Sequence, residues 1–100
     1  MQEDLTHVVL GEQLDISTVS GLYKELEQTL LKDSTSIVIN AQQTKRADMA
    51  GLQLLYVYLK EAQQQGISVE WHEPSEEFCQ SARFIGMTHL LKLDRFDVQE

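Results

Sequence analysis

Apolar residues in this chain fall either into short runs or into stripes that recur every three or four positions, and the alternation of the two predicts its elements. Ser36-Ile37-Val38-Ile39-Asn40 is a short β-branched run bounded by polar residues, the pattern of a central strand buried on both faces. Thr6-His7-Val8-Val9-Leu10, ended by Gly11, and Ser68-Val69-Glu70-Trp71-His72, between Gly66 and Pro74, are compatible strands. From Asp15 onward, Ile16, Val19, Leu22, Tyr23, Leu26 and Leu30 predict one stripe on a helix of about four turns ending near Lys32. Leu52, Leu55, Tyr56, Leu59 and Ala62 predict a second helix, with Asp48 as N-cap and Gly66 as C-cap. Leu54, Val57 and Tyr58 make its other face apolar as well. That helix is therefore either covered on two sides or offers an apolar strip to a partner. Pro74 opens a third helix, Glu76 and Glu77 sit at its positive end, and Phe78, Ala82 and Ile85 form its buried side before Gly86. Leu90, Leu91 and Leu93 follow. Strand and helix alternate, which reads as α/β with a small, largely parallel sheet covered mainly by helices.

Composition narrows this. One hundred residues, 42% apolar and 24% charged, suit a single core, and no Gly-, Ser- or Pro-rich linker interrupts them, so residues 1–100 are expected to form one domain. Sixteen acidic residues against eight basic ones give a net charge of −8, which repels nucleic acid and anionic membrane surfaces on average. Cys79 is the one cysteine, so no intrachain disulfide can form, as fits a reducing compartment. No apolar run reaches the roughly 18 residues of a membrane span, and the start, Met1 to Asp4, is polar. The expectation is a cytoplasmic protein without direct membrane insertion.

Catalytic constellations are hard to find. His7, His72 and His89 are dispersed, with no ligand partner at helical spacing, so no metal site is expected. Cys79 lies within the third helix between Phe78 and Gln80, the setting of an inert buried thiol. Neither glycine-rich phosphate motif occurs, most carboxylates are those of a solvated surface, and no cofactor is implied. The informative segment is Lys45-Arg46-Ala47-Asp48-Met49-Ala50-Gly51-Leu52. It follows the central strand and opens the two-faced helix. Loops beyond the carboxyl ends of strands are where α/β sheets meet ligands and partners, and a helix start adds free N–H groups and a positive dipole end. The alternative is structural: Asp48 caps the helix while Ala50 and Gly51 let it pack closely. Lys45 and Arg46 are either solvated loop cations or a positive spot for acidic or phosphate groups.

A family resemblance enters through the order of several short pieces. Gly11-Glu12-Gln13-Leu14-Asp15 is followed by a helix and a buried strand, then by Asp48-Met49-Ala50-Gly51-Leu52-Gln53-Leu54-Leu55 and a second helix. Phe84-Ile85-Gly86-Met87 and its leucines close the series. In this order the chain resembles the STAS domain family, the fold of anti-sigma factor antagonists, over roughly residues 5–93. The resemblance implies a four- or five-stranded mixed, mostly parallel sheet, its first strand antiparallel or at the edge, with helices mainly on one face. It also implies an early strand near residues 12–14 and sometimes a short one near residues 92–94.

The implied function is a non-enzymatic regulatory module that docks a protein partner through residues 44–55. Thr44, Lys45, Arg46, Asp48, Met49, Ala50, Gly51 and Leu52 are the candidate contacts. In sporulation-type members a kinase that is also the anti-sigma factor phosphorylates the second serine of Asp-Ser-Ser-Gly. Ala50 stands at that position and Met49 before it, so the usual phospho-switch is missing; Thr44 is the one nearby hydroxyl. The Ala50-Gly51-Leu52-Gln53-Leu54-Leu55 and Trp71-His72-Glu73-Pro74-Ser75 stretches resemble stand-alone members associated with chemotaxis. Another branch serves as a small cytoplasmic subunit of a phospholipid ABC transporter, commonly with Thr where Met49 stands. A nucleotide- or anion-binding sensor beside Arg46 is a further alternative. The implied partner is accordingly an anti-sigma or kinase-like protein, a chemotaxis component or an ABC transporter subunit.

Overall fold

A computed structural model describes residues 5–32 and 35–96; the polar start, residues 1–4, lies outside them. Among the described residues the chain forms, in order, β1 (Leu5–Val9), β2 (Gln13–Leu14), α1 (Val19–Leu30), β3 (Ser36–Asn40), β4 (Arg46–Ala47), α2 (Met49–Gln64), β5 (Ser68–His72) and α3 (Glu76–Ile85), then a 3-10 turn, Asp94–Phe96. β1 and β5 flank β3 in one sheet, while β2 and β4 form a separate two-stranded piece. Every described pairing is parallel. The α/β class and the central place of β3 follow the sequence, and β1 takes the edge position in parallel rather than antiparallel pairing. The early strand implied near residues 12–14 is β2, whereas among the described residues near 92–94 there is a 3-10 turn, Asp94–Phe96, instead of a short strand.

β3 is covered on one face, not both. Register aligns Thr6 with Ile37 and Val69, and Val8 with Ile39 and Trp71; side chains of one parity share a face, and this row faces the core with Ile37 and Ile39 fully buried. The opposite row leaves His7, Val9, Glu70 and His72 exposed and Val38 half-buried. Helices pack mainly on the first face. An apolar run of three cannot by itself report which of its faces receives them.

α2 contributes Leu52, Leu55, Leu59 and Ala62 to the core, each large side chain stabilising by about 1.5–3 kcal/mol through burial. Its second apolar face is only partly covered, by α1. There the buried Tyr58 and Thr29 hydroxyls share a hydrogen bond at 2.6 Å, and Thr29 Oγ1 also donates to the Leu26 carbonyl at 2.7 Å. Burial pushes the Tyr58 phenol above its ordinary 10.0, with the Thr29 hydrogen bond opposing. α1 begins at Val19 rather than after Asp15 because residues 15–18 form a turn of their own. The Asp15 carboxylate accepts the Ser17 N–H at 2.9 Å, and Thr18 Oγ1 accepts the Asp15 N–H at 3.0 Å. Ile16, assigned above to the stripe, is left 75% exposed.

α3 starts at an N-cap one residue beyond Pro74. Ser75 Oγ accepts the Phe78 N–H at 3.0 Å, and Gly86 ends the helix in the left-handed region at φ 85°. Trp71 packs against Phe78, with ring centroids 5.2 Å apart, and donates its indole N–H to the Leu91 carbonyl at 2.8 Å. That bond ties the segment after α3 to β5. No helix among the described residues is long and apolar enough to cross a membrane.

Candidate functional site

Residues 41–48 reach the start of α2 through a loop held at many points. Lys45 N–H and Arg46 N–H both donate to the Glu12 carbonyl, at 2.8 and 3.1 Å, and Asp48 N–H donates to the Leu14 carbonyl at 3.0 Å. Thr44 Oγ1 donates to the Gly11 carbonyl at 2.9 Å, and Gln43 Nε2 to the Leu10 carbonyl at 3.2 Å. From the other side, Ser75 N–H donates to the Ala41 carbonyl at 3.0 Å and Ser75 Oγ donates to the Thr44 carbonyl. These bonds fix the loop against both the β1–β2 connection and the start of α3. A surface built on it is pre-organised, so little ordering entropy opposes docking.

Asp48 is the N-cap, its carboxylate accepting the Gly51 N–H at 3.3 Å. Gly51 is needed for close approach: a Cβ there would stand 2.6 Å from the Leu14 carbonyl oxygen and 2.7 Å from Leu14 Cβ. The packing role weighed for this turn is therefore real. It also divides the eight candidate residues. Lys45, Arg46, Asp48 and Met49 are exposed and Ala50 is half-buried, whereas Thr44, Gly51 and Leu52 are buried. Those three offer no side-chain surface to a partner, because the tight seat of α2 on β2 and the loop bonds place them inside. Burial and its bond to Gly11 likewise withdraw the Thr44 hydroxyl from modification in this conformation.

What remains exposed is locally apolar beside cations. Met49 is 53% exposed in the first turn of α2. Lys45 and Ala47 form one wall of an open groove of about 700 Å³ whose other wall is α3, with Glu77, Gln80, Phe84 and Ile85 among its lining residues. Phe84 is 92% exposed. Sequence reasoning did not assign it to the site, although a signal was present: α3 buries Phe78, Cys79 and Ala82, and an aromatic two residues past Ala82 falls on the polar side of the helix.

Arg46 is not an isolated charge. The Asp15 carboxyl is held below its ordinary 3.8 chiefly by the hydrogen bond from the Ser17 hydroxyl, against a desolvation cost, with the N–H groups of Ser17 and Thr18 and the charge of Arg46 also lowering it. Part of the Arg46 field is thus compensated by Asp15. Among the described residues no group of three His, Cys, Asp or Glu is placed to hold a metal ion. The free thiol of Cys79 is buried.

The family model described as Mlab, STAS domain matches residues 1–92. The chain belongs to the STAS domain family. A search of curated proteins returns no match. STAS domains are generally non-enzymatic regulatory modules, and this one is of the anti-sigma factor antagonist-like, protein-interaction kind. In this STAS domain the start of α2 carries Ala50, without a hydroxyl, where the resemblance places a phosphorylatable serine.

Proposed function

We propose that this STAS domain docks a protein partner through the exposed part of residues 44–55 together with the neighbouring face of α3. The observation that carries the reading is the pair of large apolar side chains left in solvent there, Met49 and Phe84, the second in a groove shared with Lys45 and Ala47. Exposed apolar residues on a rigid frame with charged neighbours have the composition of an interface core and its rim. Met49 supplies an adaptable contact, Asp48 is committed to the cap, and Lys45 and Arg46 supply positive charge for acidic groups on the partner. A chain of net charge −8 makes this local sign a determinant of orientation.

Docking of this kind runs without the usual phospho-switch. A phosphate would add about −1.5 to −2 charges at a helix start, and neither Met49 nor Ala50 can accept one. Partner choice then depends on shape and on the standing charge of the loop. The experiment is co-purification of tagged wild type and Met49→Asp from the native host, with mass spectrometry of what is retained. A charge in the middle of the apolar contact is expected to weaken capture by about tenfold or more while circular dichroism stays native. Unaltered capture by Met49→Asp overturns the proposed surface. The retained protein also selects among the settings implied by the resemblance: an anti-sigma or kinase-like protein, a chemotaxis component, or a subunit of a phospholipid ABC transporter.

A further inference from the structure

A second surface, separate from the start of α2, lies between α1 and α2. The two helices line a groove of about 250 Å³. Its walls carry Tyr23 and Leu30 from α1 and Leu54 and Val57 from α2, with Tyr23 and Val57 half in solvent at 51% and 52% exposure. The buried side chains of Leu26 and Tyr58 also line it. Among the described residues, the charged ones lining it are Glu27 and Glu61, one from each helix. On each helix the lining positions follow the i, i+3, i+4, i+7 rule, 23, 26, 27 and 30 on α1 and 54, 57, 58 and 61 on α2. Two parallel ridges of that kind form the slot that a third helix fills with its own apolar stripe.

We infer that this groove receives a basic amphipathic helix of a partner protein, its apolar stripe between Tyr23, Leu30, Leu54 and Val57 and its lysines or arginines on Glu27 and Glu61. Charge selects this occupant. An apolar ligand alone would leave two carboxylates without a counter-charge. A second copy would bring the same two carboxylates into the interface without a counter-charge of its own in this groove, in a chain already at −8. A basic helix satisfies both the apolar walls and the acidic rim.

The test uses the full chain and two labelled helix-forming peptides, each about four turns long. One is built of Leu at i, i+3, i+4, i+7 spacing with Lys elsewhere, and the other replaces each Lys by Glu. Fluorescence anisotropy is expected to show binding of the Lys peptide and none of the Glu peptide. The double variant Glu27→Gln, Glu61→Gln should weaken the Lys peptide by about tenfold and flatten its salt dependence. Val57→Asp, at an exposed position that tolerates the change, should abolish it with native circular dichroism retained. Wild-type affinity in both variants would mean attraction to the acidic surface at large and would overturn the inference. So would equal binding of the Glu peptide, or a dimer in sedimentation that Val57→Asp dissociates.

Discussion

Gly51 shows how one missing side chain can decide how closely a helix seats on a strand. Its backbone lies so close to β2 that a Cβ would press on both the carbonyl oxygen and the Cβ of Leu14, and both atoms belong to an element held by paired strands. Alanine would gain about 1 kcal/mol of helix propensity, but the overlap is with backbone and costs about 1–3 kcal/mol or more. Gly51→Ala is therefore expected to lower the unfolding free energy by up to about 2 kcal/mol in urea titration and to push the first turn of α2 outward. Stability equal to wild type would mean that β2 yields freely. The neighbouring Ala50 is legible in sequence as a residue without a hydroxyl. Close packing at Gly51 was one of two readings the sequence left open, but its partner, Leu14, 37 positions earlier, is a property of the folded chain alone.

At the scale of elements, Ser75 joins two roles that sequence inspection separates. As N-cap of α3 it accepts the Phe78 N–H, and through the same hydroxyl it donates to the Thr44 carbonyl of the loop before α2. Ser75→Ala removes the cap and frees a loop carbonyl at once, so the expected loss is about 1.5–3 kcal/mol, above the typical ~1 kcal/mol of a cap alone. Hydrogen exchange provides the discriminating measurement. Amides of residues 42–46 should lose protection along with the first turn of α3, and loss confined to α3 would show that the loop does not depend on Ser75. Helix and strand identities were readable from periodicity: β3, β5 and α2 fall where the apolar spacing put them. The start of α1 was misplaced by three residues, because Ile16 fits the stripe numerically while Asp15, Ser17 and Thr18 bond among themselves and hold the chain in a turn. Local polar bonding defeated a hydrophobic count there.

Across the whole molecule, the segment after α3 closes the end of the sheet through Trp71. Its indole donates to Leu91, and its ring lies against Phe78, joining β5, α3 and residues 87–96 into one core with Leu91 and Leu93. Trp71→Phe keeps an aromatic body and leaves a buried carbonyl without its donor, at an expected cost of about 1–3 kcal/mol. Thermal unfolding followed by circular dichroism should show the lower midpoint. Exchange should show residues 87–96 opening before α1; uniform loss of protection over the chain would contradict a local latch. The same wide view accounts for the candidate site. Basic Lys45 and Arg46 beside apolar Met49 could be read from the sequence, but Phe84 could be joined to Lys45 only once α3 had been laid against β4.

Sequence alone determined the α/β alternation, the central strand, the Asp48 cap, the missing hydroxyl at Ala50 and the family resemblance, because each rests on spacing, side-chain chemistry or order along the chain. Tertiary structure decided which face of the sheet is covered, that Thr44, Gly51 and Leu52 lie inside, that Phe84 shares a groove with Lys45, and how far α1 covers the second face of α2. Each of these depends on which distant segments come into contact, and a local pattern of apolar and polar positions states that a face must be buried without stating against what.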